Sequence, residues 1–229
     1  MLIVFIFITI LFSLNSPGTA YAQDNSLIAR MQSIQPSIVE IRTVLAKALT
    51  TESGRKGIAS YERHGAGIII DPSGIIVTNT HIVINAPRIL VGLSNGKTYE
   101  ATVLFASEAD FSFLKIDPPY KLRAISWADS SEAQVGEPII ALGNSELNNQ
   151  SILGGQITSL LESMSNANIE LFEVNLNLYQ GDSGGPILDR QGRLLGLIMA
   201  KRISQDRKSY AIASNKIRQE YLKLKQKMQ

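Results

Sequence analysis

The chain has 229 residues, 45% of them hydrophobic and 18% charged, with no cysteine and a formal net charge of +2. That apolar content can fill a core and argues against wholesale disorder, while the missing cysteines exclude a disulfide scaffold, a thiolate nucleophile and a cysteine-based zinc site. Two histidines are too few for a three-histidine metal centre, and the small charge supports no extended phosphate-binding surface, so nucleic acid is not an expected partner.

Residues 2–14 are an apolar run broken only by Thr9 and Ser13. As a helix it would rise about 20 Å, short of a bilayer's hydrocarbon core. Asn15, Ser16, Pro17 and Gly18 break it, and Ala20-Tyr21-Ala22 offers the small residues a signal peptidase accepts. Residues 1–22 therefore read as a signal peptide, with an uncleaved anchor as the alternative, since the n-region has no Lys or Arg. An exported chain without cysteine suits a bacterial envelope compartment, the periplasm or the exterior, with no membrane span in the mature chain.

Residues 23–35 place Leu27, Ile28, Met31 and Ile34 at helical spacing, and Pro36 stops the helix. Residues 37–44 are rich in β-branched side chains. The polar stretch 50–64 reads as a long surface loop. Two hairpins follow, one turning at Asp71-Pro-Ser-Gly74 and one at Ser94-Asn-Gly-Lys97, with strands expected at 67–70, 75–78, 88–93 and 98–105. Another strand spans 111–116 and ends at Asp117-Pro118-Pro119, the best boundary in the chain. Beyond it strands are expected at 138–142, 151–161, 169–176, 186–188, 194–200 and 209–213, with a turn at Asp189-Arg-Gln-Gly192. Residues 214–228 read as a helix with Ser214 as N-cap and a solvated basic face.

About six short strands on either side of a double proline predict an all-β chain of two six-stranded antiparallel barrels, with short helices at both ends. The expected organisation is residues 1–22 as signal peptide, 23–120 as N-terminal helix and first barrel, and 121–229 as second barrel and C-terminal helix.

The most informative segment is Gly181-Asp182-Ser183-Gly184-Gly185-Pro186. A serine hydroxyl is a weak nucleophile that needs a base beside it and an anion trap before it. The N–H groups of Gly181 and Ser183 can converge on one point as an oxyanion hole. His81 follows an apolar strand at its end, whereas His64 sits beside Arg63 in the polar stretch, so His81 is the candidate base. Asp110, just before an alternating strand, is the candidate carboxylate to orient it, with Glu108 as a rival.

In this order, His81, Asp110 and Ser183, the chain resembles the trypsin-like serine proteases, specifically their bacterial Deg/HtrA-type branch. The resemblance runs from about Pro36 to Ser214. It is carried by Gly65-Ala-Gly-Ile-Ile-Ile-Asp71, Gly74-Ile-Ile-Val-Thr-Asn-Thr-His81, Asp110-Phe-Ser-Phe-Leu-Lys115, Ala141-Leu-Gly-Asn144, Gly181–Pro186 and Tyr210-Ala-Ile-Ala-Ser214. It implies a chymotrypsin-like fold with the site between the barrels, polypeptide substrates, and hydrolysis without metal or cofactor. Ser183 would attack, His81 would move the proton, and Asp110 would hold His81.

Two departures stand out. HtrA-type members carry a PDZ domain after the protease, and here the sequence ends about fifteen residues past Ser214. They also have Asn before the nucleophile, where this chain has Asp182, expected to pair with a cation or a backbone donor because a lone buried carboxylate is costly. Asn177, Leu178, Tyr179, Gln180 and Ile198 are expected to line the pocket for the residue before the cleaved bond, which would favour small to medium aliphatic side chains. A homo-oligomer stays open, as does a silent fold that binds peptides as a chaperone would. A lipase or esterase fails on chain order and on the missing Gly-x-Ser-x-Gly elbow.

Overall fold

The computed structural model describes residues 25–50, 56–144, 150–162, 170–178, 181–199 and 209–228; the expected signal peptide lies outside them. Helix α1 (Asn25–Ile34) ends in a 3-10 turn at Gln35–Ser37, where Pro36 stops it. The chain then forms seven strands of one antiparallel sheet. These are β1 (Ile38–Thr50), β2 (Lys56–Asp71), β3 (Ile75–Thr78), β4 (Arg88–Gly92), β5 (Thr98–Glu100), β6 (Thr102–Ala106) and β7 (Ser112–Lys115), with the four-residue helix α2 (Thr80–Val83) after β3. The spatial order is β5-β4-β1-β2-β3-β7-β6.

This sheet corrects the expected six-stranded barrel in detail. The stretch read as one strand at 98–105 breaks at Ala101, whose N–H donates to the Ile89 carbonyl (2.9 Å). Its two halves are the opposite edge strands, so the sheet curls until its edges meet through a single residue. The expected loop at 50–64 is a second correction. Lys56 begins β2, and the β1–β2 ladder runs from Ile38↔Ile68 to Thr50↔Lys56. Among the described residues its outer part pairs with no other strand, since β4 reaches only to Val44 and β3 only to Ile68. A ribbon without sheet neighbours needs no apolar face, so its sequence carries no period-2 signal.

The second unit is a closed barrel in the order β10-β13-β12-β11-β8-β9. Its strands are β8 (Pro138–Asn144), β9 (Gln150–Glu162), β10 (Glu170–Val174), β11 (Pro186–Leu188), β12 (Leu194–Met199) and β13 (Ser209–Ala213). Helix α3 (Ser214–Lys227) closes the chain. Ser214 does not cap it as expected: Ala213 is the N-cap residue, and the Ser214 hydroxyl donates to the Ala128 carbonyl (3.2 Å). Among the described residues no helix is long and apolar enough to cross a membrane.

Each unit has its own core, Ile41, Ile76 and Leu114 in the first and Ile139, Phe172 and Leu195 in the second. A third cluster joins Ile68, Val77 and Phe113 to Leu142, Leu188 and Ile212 and welds the units together. The terminal helices each cross to the opposite unit. Ile34 of α1 packs against Gly192 in the β11–β12 turn, where a Cβ would lie 2.4 Å from its Cδ1. Tyr221 of α3 stacks on Trp127, meets Phe113 edge-on, and donates its hydroxyl to Asp71 of the β2–β3 turn.

Candidate active site

On the first unit, at α2 and the turn before β7, His81 and Asp110 meet. His81 Nδ1 lies 2.7 Å from Asp110 Oδ2, and the His81 main-chain N–H donates to Asp110 Oδ1 (2.9 Å). An ionised carboxylate only accepts, so in the neutral imidazole the proton sits on Nδ1 and Nε2 is left as an acceptor. Asp110 has φ +62, which a short acidic residue tolerates better than most. Its carbonyl accepts from the Asn79 side chain (2.9 Å) and the Thr80 N–H (3.3 Å), so the turn before β7 and the start of α2 form one bonded unit. Glu108, the rival carboxylate, is exposed.

The carbonyls of α2 are held from below. Thr43 Oγ1 donates to Ile82 O (3.1 Å), and Arg63 Nη1 donates to His81 O (2.9 Å) and Ile84 O (3.4 Å). Thr43 and Arg63 are register partners on β1 and β2. Sequence reasoning missed both. The only signal for Arg63 is its even-numbered offset from Gly65, which puts the two on one strand face, and Thr43 shares that face as its partner across the ladder.

Ser183 sits in a tight turn whose Gly185 N–H donates to Asp182 O (3.0 Å), with Gly184 at φ +82. A positive φ at that third turn position is what a type II turn demands and glycine supplies. The turn is pinned on both sides by main chain. Gly184 N–H donates to Ile198 O (3.0 Å) in the second barrel, and Ala66 N–H of β2 donates to Ser183 O (2.8 Å). A Cβ on Gly184 would lie 2.1 Å from Ala66 O and 2.7 Å from Thr78 Oγ1, three residues before His81. One on Gly65 would meet Ile82 Cδ1 and Ser183 O at 2.4 and 3.1 Å. Ser183 and the segment carrying His81 thus both border Gly65.

Gly181 has φ +100, and neither its N–H nor that of Ser183 donates to a main-chain carbonyl of the described residues. Asp182 is fully buried and engaged by a neighbouring group. Of the expected pocket residues, Asn177 is exposed and Leu178 half-buried against the second core. Ile198 is fully buried in that core, and it meets the Ser183 turn through its carbonyl, which accepts from Gly184 N–H, and through its Cδ1, which would lie 3.4 Å from a Cβ on Gly185. Tyr179 and Gln180 lie outside the described residues. His64 is on the surface, 3.2 Å from Glu62 and 3.8 Å from Glu40. Among the described residues no cluster of three or more His, Asp or Glu could hold a metal. A surface cavity of about 500 Å³ is lined by Asp129, Glu132, Val135, Glu137 and Arg193, none of which belongs to this cleft.

Two joined β-units, one carrying a His–Asp contact and the other a glycine-hinged serine turn, with the segment after His81 and Ser183 O both against Gly65, define the chymotrypsin-like class. Residues 65–197, more than half of the chain, match the family described as trypsin-like peptidase domain, and the chain belongs to it. It is similar to serine protease HTRA1A of Danio rerio, 28% identical over 211 residues that make up 90% of this chain and 42% of the relative. Periplasmic serine endoprotease DegP of Escherichia coli (strain K12) is 34% identical over 161 residues, 67% of this chain and 34% of DegP. The chain thus spans less than half the length of these relatives. Its fold is shared with an HtrA-type protease AlgW solved with a decapeptide, at TM-score 0.69 and 21% identity, over 82% of this chain and 64% of that one.

Proposed function

We propose that this chain is a serine endopeptidase of the Deg/HtrA type. Ser183 is the nucleophile, His81 the base that takes and returns its proton, Asp110 the carboxylate that orients His81, and the N–H groups of Gly181 and Ser183 the oxyanion donors. The observation that carries this reading is the two-point grip of Asp110 on His81, which favours the neutral tautomer that has Nε2 free to accept a proton. Each oxyanion donor typically contributes around 3 kcal/mol to such a reaction. Leu178, Asn177 and their neighbours would form the pocket before the cleaved bond and favour small to medium aliphatic residues. The leader-like residues 1–22 and the likeness to a periplasmic endoprotease support export and a role in envelope protein quality control.

The test is cleavage of casein and of a peptide library by the chain from residue 23, together with labelling by a serine-directed fluorophosphonate. Labelling and cleavage are both expected, and both should vanish in Ser183→Ala, with hydrolysis falling by roughly a millionfold. A folded, peptide-binding protein that neither labels nor cleaves would instead be the silent alternative. Efficient cleavage only after Lys or Arg would overturn the pocket assignment.

A further inference from the structure

We propose that Arg63 sets substrate preference on the leaving-group side of the cleft, favouring polypeptides with an acidic side chain in the one or two positions after the scissile bond. This rests on the serine protease reading above and names its substrate class more closely.

On that reading the two halves of a substrate meet different units. The acyl half is held by the Gly181 and Ser183 N–H groups, on the second barrel. The leaving amine must lie within reach of His81 Nε2, on the first. The chain that follows it therefore leaves past the rim built from β2 and α2.

Period-2 alternation puts Tyr61, Arg63 and Gly65 on one face of β2. Gly65 marks which way that face looks, because a Cβ there would touch both Ile82 Cδ1 and Ser183 O. Two residues further out, Arg63 Nη1 holds the carbonyl of His81 itself at 2.9 Å. Its guanidinium carbon lies 5.9 Å from the centroid of the Tyr61 ring, which is 42% exposed at the rim and restrains the cation's orientation. Among the described residues Arg63 enters no ion pair. The nearby carboxylates, Glu40 and Glu62, face the other side of the strand, against His64. The Nε–Nη2 edge of the guanidinium, the edge that grips a carboxylate side-on, is left for a ligand. A cation fixed by its own hydrogen bond to the helix of the base, and lacking an acidic partner, is arranged to receive an anion from the departing chain.

The experiment uses quenched fluorescent peptides with Val before the scissile bond and Asp, Glu, Ala or Lys in the first and second positions after it. Cleavage rates are normalised to the fluorophosphonate-labelled fraction, so partial misfolding of a variant cannot mimic the effect. The wild-type chain should favour Asp or Glu over Lys by roughly fivefold in kcat/KM at low salt, and the gap should narrow as salt is added. Arg63→Gln should bring the ratio near one, Arg63→Glu should invert it, and Arg63→Lys should retain a weaker acidic preference. A wild-type ratio near one, or a ratio unmoved by Arg63→Gln, overturns the proposal while leaving the protease intact. A wild-type chain that takes no label and cleaves no peptide overturns the protease reading, and this proposal with it.

Discussion

The first barrel and the second hold their sides of the cleft by different means. On the first, His81 is fixed largely through side chains: Asp110 grips it at two points, and Thr43 and Arg63 hold the carbonyls of its helix. On the second, Ser183 is fixed by main chain, between Ala66 on one side and Ile198 on the other, with glycines where a side chain would collide. A side-chain network can be edited atom by atom while the fold stands. A backbone docking site admits no extra carbon.

Asp110→Asn should break the first arrangement most severely. The amide can offer Nδ1 a donor and stabilise the wrong imidazole tautomer, so peptide hydrolysis should fall roughly ten-thousandfold, while the melting temperature changes little. Gly184→Ala tests the second arrangement and should act through the fold. The strained φ of +82 and a Cβ 2.1 Å from a carbonyl that cannot swing away should together cost more than about 3 kcal/mol in chemical denaturation. Gly96→Ala is its control. The φ there is +81, but no atom lies within 4 Å of the added carbon, so the loss should stay near 1 kcal/mol. The difference between the two measures the docking contact alone.

Between these sizes lies the strap from α3 to the first unit. Partial burial pushes the Asp71 carboxyl up, but hydrogen bonds from Tyr221, Ser73 and Lys225 outweigh it and hold the group well below the usual carboxylate range. A carboxyl whose pKa is depressed by folding contributes stability that is present above its unfolded value, near pH 4. That stability is lost as pH falls below it. The wild-type melting temperature should therefore drop on acidification below about pH 4, and Asp71→Asn should remove that part of the drop. Tyr221→Phe, which deletes one charge-assisted donor, should cost about 1.5 kcal/mol at neutral pH. An unchanged acid limb in Asp71→Asn would detach the strap from the stability of the pair of units.

Much of this was legible along the chain. The hairpin at Asp71-Pro-Ser-Gly74 follows from local chemistry, since Ser73 N–H bonds the Asp71 side chain and Gly74 takes φ +99. Strands β11 and β13 match their expected bounds residue for residue, because short apolar runs between turn residues have few other solutions. The outer β1–β2 ribbon was not legible, as its pairing is set by register with its partner strand rather than by a turn or motif in its own sequence. Nor was the break at Ala101, which is decided by where the curled sheet must close. The Ser214 cap failed for a similar reason: Ala128, 86 residues away, competes for its hydroxyl.

The sequence by itself determined the class of the fold, the order His81, Asp110, Ser183, and the glycines that a sharp serine turn requires. These depend on alternation, turn chemistry and short motifs, which are properties of neighbouring residues. Only the tertiary structure decided that α1 and α3 each cross to the opposite barrel, that Thr43 and Arg63 carry the helix of His81, and that Ser183 docks on Ala66. Such contacts join residues far apart in the chain, and their geometry is set by how two curved sheets pack, which no local pattern encodes.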